Sequence, residues 1–308
     1  MNNEMIETIE IEEPNEDSQI KAVGVGGYGS NLIIGMIEQG VKGVEFICVD
    51  ADAQSLGRSH AYKAIELRGP GLDTDIRLAI ENTHLLFIVA GMGGGTGTSA
   101  APMIARIAKT MGILTVAVVT QPFEFEGSQR IAHASQGLVE LQAHVDALIV
   151  VPSNQWLKSL GYEVPQSQAI DRSNGVVKNL VAGVALILNE VGDVNVDFED
   201  VRTVMGQPGK AAIGMAIATG PNRGRIAAQQ AVTHLILEGI NLSDAKGILL
   251  LITATKESLK LSEWRTAMRT IRTYAVQELE VHIIFGAVYD QALGDGLRVM
   301  VVATGLNA

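Results

Sequence analysis

At 308 residues the chain is long enough for two domains and a sizeable core. Its hydrophobic fraction of 47% is that of a globular protein, and a formal net charge of -11 with no basic stripe argues against nucleic acid as a partner. The single cysteine, Cys48, lies in the apolar run 44–49, which excludes an internal disulfide and fits a buried thiol in a reducing, cytoplasmic setting.

Residues 1–19 carry Glu4, Glu7, Glu10, Glu12, Glu13, Glu16 and Asp17 without a lysine or arginine, the opposite of a targeting segment. They read as a disordered acidic tail. No apolar run approaches the ~18 residues needed to cross a bilayer, so no direct membrane contact is expected. From 20 to 152, short β-branched runs at 21–25, 45–50, 64–67, 85–90, 114–120 and 147–152 alternate with helical patterns. That alternation predicts an α/β domain built on a doubly wound, mostly parallel sheet. Ligands of such sheets bind beyond the carboxyl ends of the strands, where the loops at 24–29, 91–98 and 120–127 fall.

The first of these loops, Gly24-Val-Gly26-Gly27-Tyr28-Gly29, satisfies G-x-G-x-x-G, with Asp50 and Asp52 ending the next strand where a ribose-binding carboxylate would lie. Alone it reads as the site of a dinucleotide oxidoreductase. The second loop places Gly93, Gly94, Gly95, Thr96, Gly97 and Thr98 between a buried strand and a helix predicted over 99–111. Glycines there let backbone N–H groups at a helix start approach an anion, and the threonines add hydroxyl donors. No lysine follows, so this is not G-x-x-x-x-G-K-[ST]; the bland alternative is a glycine turn or a plain helix cap. Two glycine loops, after the first and fourth strands, point to one nucleotide whose phosphates lie between two helix ends.

Helical spacing of Ile170, Val177, Leu180, Val181, Val184 and Leu188 predicts one long helix over 167–190 that links two domains. Beyond residue 206 the pattern changes to strands at 211–219, 247–255, 280–288 and 298–304, with helices over 223–237 and 262–276. The last two strands are expected to face each other across 289–296 in a smaller mixed α+β domain. The division is then a tail at 1–19, a nucleotide-binding domain at 20–166, the linking helix at 167–190 and the second domain at 191–308. The six histidines fall at no metal-ligand spacing.

At this point the chain resembles the FtsZ and tubulin family of polymerising GTPases, its bacterial FtsZ branch in particular. Gly-Met-Gly-Gly-Gly-Thr-Gly-Thr at 91–98 matches the family's signature loop, and residues 26–31, including Gly26, Gly27 and Asn31, match its first glycine loop. The similarity runs from 20 to 306, through Thr-Gln-Pro-Phe-Glu-Phe-Glu-Gly at 120–127, the 195–205 segment and Val-Val-Ala-Thr-Gly at 301–305. The resemblance implies that Glu126 and Arg130 meet the ribose and base side of GTP or GDP and that Asn174 hydrogen-bonds guanine. An amide, able to donate and accept at a purine edge, suits that task. It also implies that Asn195, Asp197 and Asp200 reach the nucleotide of a neighbouring subunit, the acids acting on the attacking water. Mg²⁺ would arrive with the phosphates. Each residue has a plainer reading: Glu126 and Arg130 as an i,i+4 pair, Asn174 as a solvated helix residue, and Asp197 as an N-cap with an acidic first turn.

Departures from the family's pattern cluster on the nucleotide. Between Leu67 and Leu85 the Gly-Ala-Gly-Ala-Asn-Pro loop that closes on the γ-phosphate is missing; Ser99 stands for the signature's last glycine, and Tyr28 interrupts a glycine run. Ile170 replaces a phenylalanine that would stack on the base, and Asp50-Ala51 replaces Asn-Thr. The expected function is that of a divergent FtsZ-like GTP-binding protein or paralogue, assembling head to tail with itself or alongside another FtsZ, with hydrolysis at the subunit interface. A non-hydrolysing or GDP-bound structural or regulatory paralogue is the alternative, and a dinucleotide oxidoreductase a weaker one. The last predicted strand ends just short of Ala308, with no room for the C-terminal peptide by which family members dock membrane-tethering adaptors, so that recruitment is not expected.

Overall fold

The computed structural model describes residues 20–151, 165–189, 196–237, 239–275 and 281–306; the acidic segment 1–19 and Asn195 lie outside them. Six strands, β1 (Ile20–Val25), β2 (Glu45–Asp50), β3 (Lys63–Glu66), β4 (Leu85–Gly91), β5 (Leu114–Thr120) and β6 (Ala147–Val151), pair in parallel. Among them run helices α1 (Gly26–Glu38), α2 (Ala53–Leu56), α3 (Leu72–Ile80), α4 (Gly95–Thr110) and α5 (Ser128–Gln142). β1 and β5 are buried along their whole length, and β4 along all but its last residue, as strands covered on both faces must be. Their order, β3-β2-β1-β4-β5-β6, reverses direction between β1 and β4 and so opens a crevice at the carboxyl ends of those two strands.

After α6 (Gln166–Asn189) and α7 (Phe198–Met205) come β7 (Lys210–Thr219), α8 (Arg223–Leu237), β8 (Gly247–Ala254), α9 (Leu261–Ala275), β9 (His282–Tyr289) and β10 (Gly296–Leu306). The expected facing of the last two strands does not occur. β10 lies between β7 and β8, antiparallel to both, while β9 pairs in parallel with β8 at the edge. Burial explains the arrangement: β10 is buried almost throughout and needs a neighbour on each side, whereas β9 is largely half-buried and tolerates an edge. The two strand groups join in one ten-stranded sheet through a single β6–β7 pairing, Ile149 with Ala211.

Helix α6 packs across both groups. Val176, Val177, Leu180, Val181 and Val184 are fully buried in a cluster shared with Val116 and Ile149 of the first group and Ile213, Leu249 and Met300 of the second. Each contributes about 1.5–3 kcal/mol relative to exposure. Arg298 on β10 donates to Asn179 Oδ1 on the same helix at 2.7 Å. Cys48 is buried and free, and burial pushes its thiol up.

One ion pair ties the starts of α8 and α9 together. The Arg223 side chain is 4% exposed and grips Glu263 through Nε (2.8 Å) and Nη2 (3.0 Å), while also donating to the carbonyls of Ser258 and Asp295. The guanidinium holds the Glu263 carboxyl below the usual carboxylate range. Its contribution is therefore fully present above the unfolded value of about 4.3 and declines as pH falls through the lowered folded value. Glu263→Ala, which leaves a buried cation without its carboxylate, is expected to cost about 3 kcal/mol at neutral pH. Urea midpoints measured against pH should show the wild type losing part of its stability below pH ~4.3 and Glu263→Gln lacking that part of the acid limb.

Candidate nucleotide site

A cleft of about 590 Å³ opens at the crevice between β1 and β4, within the usual size of small-molecule sites. Its floor is Gly26 and Gly27 at the start of α1 and Gly94, Gly95, Thr96 and Gly97 at the start of α4. The helix predicted from residue 99 in fact begins at Gly95, so half of the presumed loop is the first turn of α4. Both helices start uncapped: neither the Val25 nor the Gly94 N-cap supplies a side-chain acceptor, and neither first turn holds an acid. The orphan N–H groups and the positive dipole ends of two helices therefore share one cleft.

Glycine is required here by close approach. A Cβ on Gly97 would drive into the Gly91 carbonyl. Gly93, at φ +94°, turns the chain, and its N–H donates to Thr98 Oγ1 at 2.8 Å. Thr98 is thus buried and engaged in shaping the loop, and neither it nor Gly93 lines the cleft, whereas Thr96 does. Asn31 is exposed on α1 and does not line the cleft either. Asp50 and Asp52 stand outside it as well. Asp50 Oδ1 accepts from the amides of Ala51 (2.7 Å) and Asp52 (3.3 Å), and Asp52 caps α2 through the Gln54 amide.

Across the cleft, Glu126 and Arg130 form one wall. Glu126 Oε1 accepts from the Phe123 amide and Oε2 from Arg130, both at 2.8 Å, so the carboxylate is held in place by its own turn. Ile170 and Ser173 of α6 close the far end. Asn174 is next to them and is held through its Oδ1, which accepts from Tyr28 Oη at 2.7 Å. Tyr28 itself lines the cleft, its ring packed against Gly91. Burial pushes its phenol up to about 12, against a lowering hydrogen bond from Thr120, so it remains a neutral donor across the physiological range. Tyr28, Thr120 and Ser173 are cleft residues that sequence reasoning did not assign to ligand binding. The visible signal for Tyr28 was a bulky ring inside a glycine run.

The acids lie elsewhere. Asp197 Oδ1 accepts from the Asp200 amide at 2.7 Å and Asp200 Oδ2 from the Asp197 amide at 3.4 Å, a reciprocal capping box on α7. Both are exposed. The next residue, Phe198, packs its ring 5.4 Å from that of His84, which immediately precedes β4. β4 spans seven residues between that point and the glycine loop; at ~3.3 Å per residue the acids are roughly 20 Å from the cleft, at the opposite end of the parallel sheet.

The sequence matches the profile described as the Tubulin/FtsZ family GTPase domain over residues 71–161 and that of the FtsZ family C-terminal domain over 209–307. It is 41% identical to the cell division protein FtsZ of Buchnera aphidicola subsp. Schizaphis graminum, covering 98% of this chain and 82% of that protein. It is 40% identical to the FtsZ of Coxiella burnetii, covering 95% and 80%. The structure superposes on that of an empty FtsZ dimer of M. jannaschii with a TM-score of 0.85 at 33% identity, covering 93% of this chain and 88% of the other. A glycine cradle between two uncapped helices, on a sheet of this order and across this full length, is that of a tubulin-like GTPase, and the chain belongs to the FtsZ family.

Proposed function

We propose that the cleft holds GTP, with its phosphates on the amides at the starts of α1 and α4, its ribose toward Glu126 and Arg130, and its base toward Ile170, Ser173 and Asn174. Hydrolysis then takes place between two copies of the chain. The observation that carries this reading is the separation of the two halves of the chemistry: uncapped helix ends at one end of the sheet, free carboxylate oxygens at the other. Within one subunit they do not meet. A head-to-tail contact brings the α7 acids of one copy to the cleft of the next, and such a heterologous contact propagates into a filament. The M. jannaschii relative is described as a dimer, which agrees with self-association.

In the assembled site the backbone amides stabilise charge on the phosphate oxygens. Asp197 or Asp200 of the neighbouring copy orients a water and takes its proton as the oxygen bonds to the γ-phosphorus and the bond to the β-phosphate oxygen breaks. Mg²⁺ fits as a companion of the phosphates: the cleft offers hydroxyls and amides, and among the described residues its one carboxylate, Glu126, is already engaged. Bound there, the ion neutralises phosphate charge. The two-domain division, with α6 linking a nucleotide-binding part to a part that carries the acids, follows from the same reading, as does work in the cytoplasm alongside other copies.

Asparagine caps a helix about as well as aspartate but cannot take a proton. Asp197→Asn and Asp200→Asn should therefore keep wild-type thermal stability while steady-state GTP turnover falls at least about tenfold. Turnover at wild-type level in both variants would reduce these acids to caps. Turnover per subunit should climb with protein concentration. Mixing Asp200→Asn with Gly97→Ala, whose Cβ pushes on the Gly91 carbonyl and so distorts the cradle, should restore activity that each lacks alone, since one face of each variant is intact.

A second reading, a member that retains GDP without turnover, is favoured by one observation: no residue of the turn at 67–71 or of α3 reaches the cleft. Extraction of the purified protein decides between them. GDP recovered in near-equal amount to protein, with no phosphate release from GTP at any protein concentration, selects the second.

A further inference from the structure

Tyr28 lies in the first turn of α1, among the glycines of the cradle, and its side chain crosses from the floor of the cleft to its far wall. The ring rests against Gly91 of β4, and its hydroxyl donates to Asn174 Oδ1 on α6 at 2.7 Å and is hydrogen-bonded by Thr120 of β5. One side chain thereby fastens the start of α1 to α6. Helical spacing shows what it covers. Ile170, Ser173 and Asn174 stand at i, i+3 and i+4 and so share one face of α6. Ile170 and Ser173 line the cleft, whereas Asn174 does not, and its side-chain oxygen is the atom that the phenol holds.

The ring therefore stands between the cleft and one member of that face. Tyr28 is half-buried and its neighbour Gly27 is exposed, so a change of rotamer can carry the ring outward. We infer that Tyr28 is a gate on the cleft: with its hydroxyl on Asn174 it closes the α6 end, and a nucleotide seats fully only after that bond breaks and the ring swings away. This rests on the reading that the cleft takes a guanine nucleotide with its base toward α6. A gate of this kind acts on the empty protein. It lowers apparent affinity by the fraction of molecules that are open, so it slows association and leaves dissociation from the complex unchanged. A side chain that instead contacts the bound ligand is felt in dissociation.

Stopped-flow mixing of the full chain with GDP carrying a fluorescent N-methylanthraniloyl group reads both rates for wild type, Tyr28→Phe and Tyr28→Ala. Tyr28→Phe keeps the ring against Gly91 and loses only the hydroxyl that latches it. Its association rate constant should rise about three- to tenfold, with the dissociation rate within about twofold of wild type. Tyr28→Ala removes the ring and should associate at least as fast; should that variant fail to fold, Tyr28→Phe decides. Binding by both variants where wild type takes up no nucleotide supports the gate in its extreme form. Association unchanged or slowed in Tyr28→Phe, or a change confined to dissociation, overturns the gate and leaves the nucleotide reading intact. Failure of wild type and folded variants alike to bind overturns that reading and the gate with it.

Discussion

The structure is organised around two helices that begin without caps. Every helix start leaves amides that need acceptors; Asp52 caps α2 and Asp197 with Asp200 closes a box on α7, while α3 and α5 begin on Gly71 and Gly127 without a side-chain cap. At α1 and α4 the same provision is withheld, and the two starts are brought together by the reversal of strand order between β1 and β4. An anion is the partner proposed above for both. The glycines follow from that demand, since Gly97 must pass against the Gly91 carbonyl for the α4 amides to face the cleft.

Much of this was legible in the chain. The β-branched runs located the strands found among the described residues, the 3.6-residue recurrence of Val177, Leu180, Val181 and Val184 located α6, and the glycine loops located the cleft. What escaped depended on neighbours distant in sequence. Glycine and threonine are poor helix formers, so propensity placed the start of α4 at residue 99; contact of Gly97 with Gly91 and the Gly93–Thr98 bond draw the helix back to Gly95. The pairing of β9 and β10 was misread because succession in the chain favours adjacent strands, while burial favours a central β10. Tyr28 read only as an interruption of a glycine run; its hydroxyl reaches Asn174, a residue far along the chain that only the fold brings near.

Asp197 and Asp200 show why a structural reading and a functional one need not compete. Each gives one carboxylate oxygen to the α7 cap, and a carboxylate has two. The cap fixes the direction of the remaining oxygens at an exposed helix start, and a fixed direction is what a group acting on a water in another molecule requires. Glu126 follows the same logic with both of its oxygens engaged, one by the Phe123 amide and one by Arg130, so that it shapes the wall more than it reacts.

The single pairing of Ile149 with Ala211 has a mechanical meaning. A sheet whose halves share one rung is compliant at that seam, and load crossing it passes instead through the apolar flank of α6, which is wedged against strands on both sides. The same helix carries Ser173 in the wall of the cleft, with Asn174 beside it bonded to Tyr28. Val201, Val204 and Met205 of α7 belong to that same apolar cluster, so one helix couples the α7 end of the molecule to the wall of the cleft.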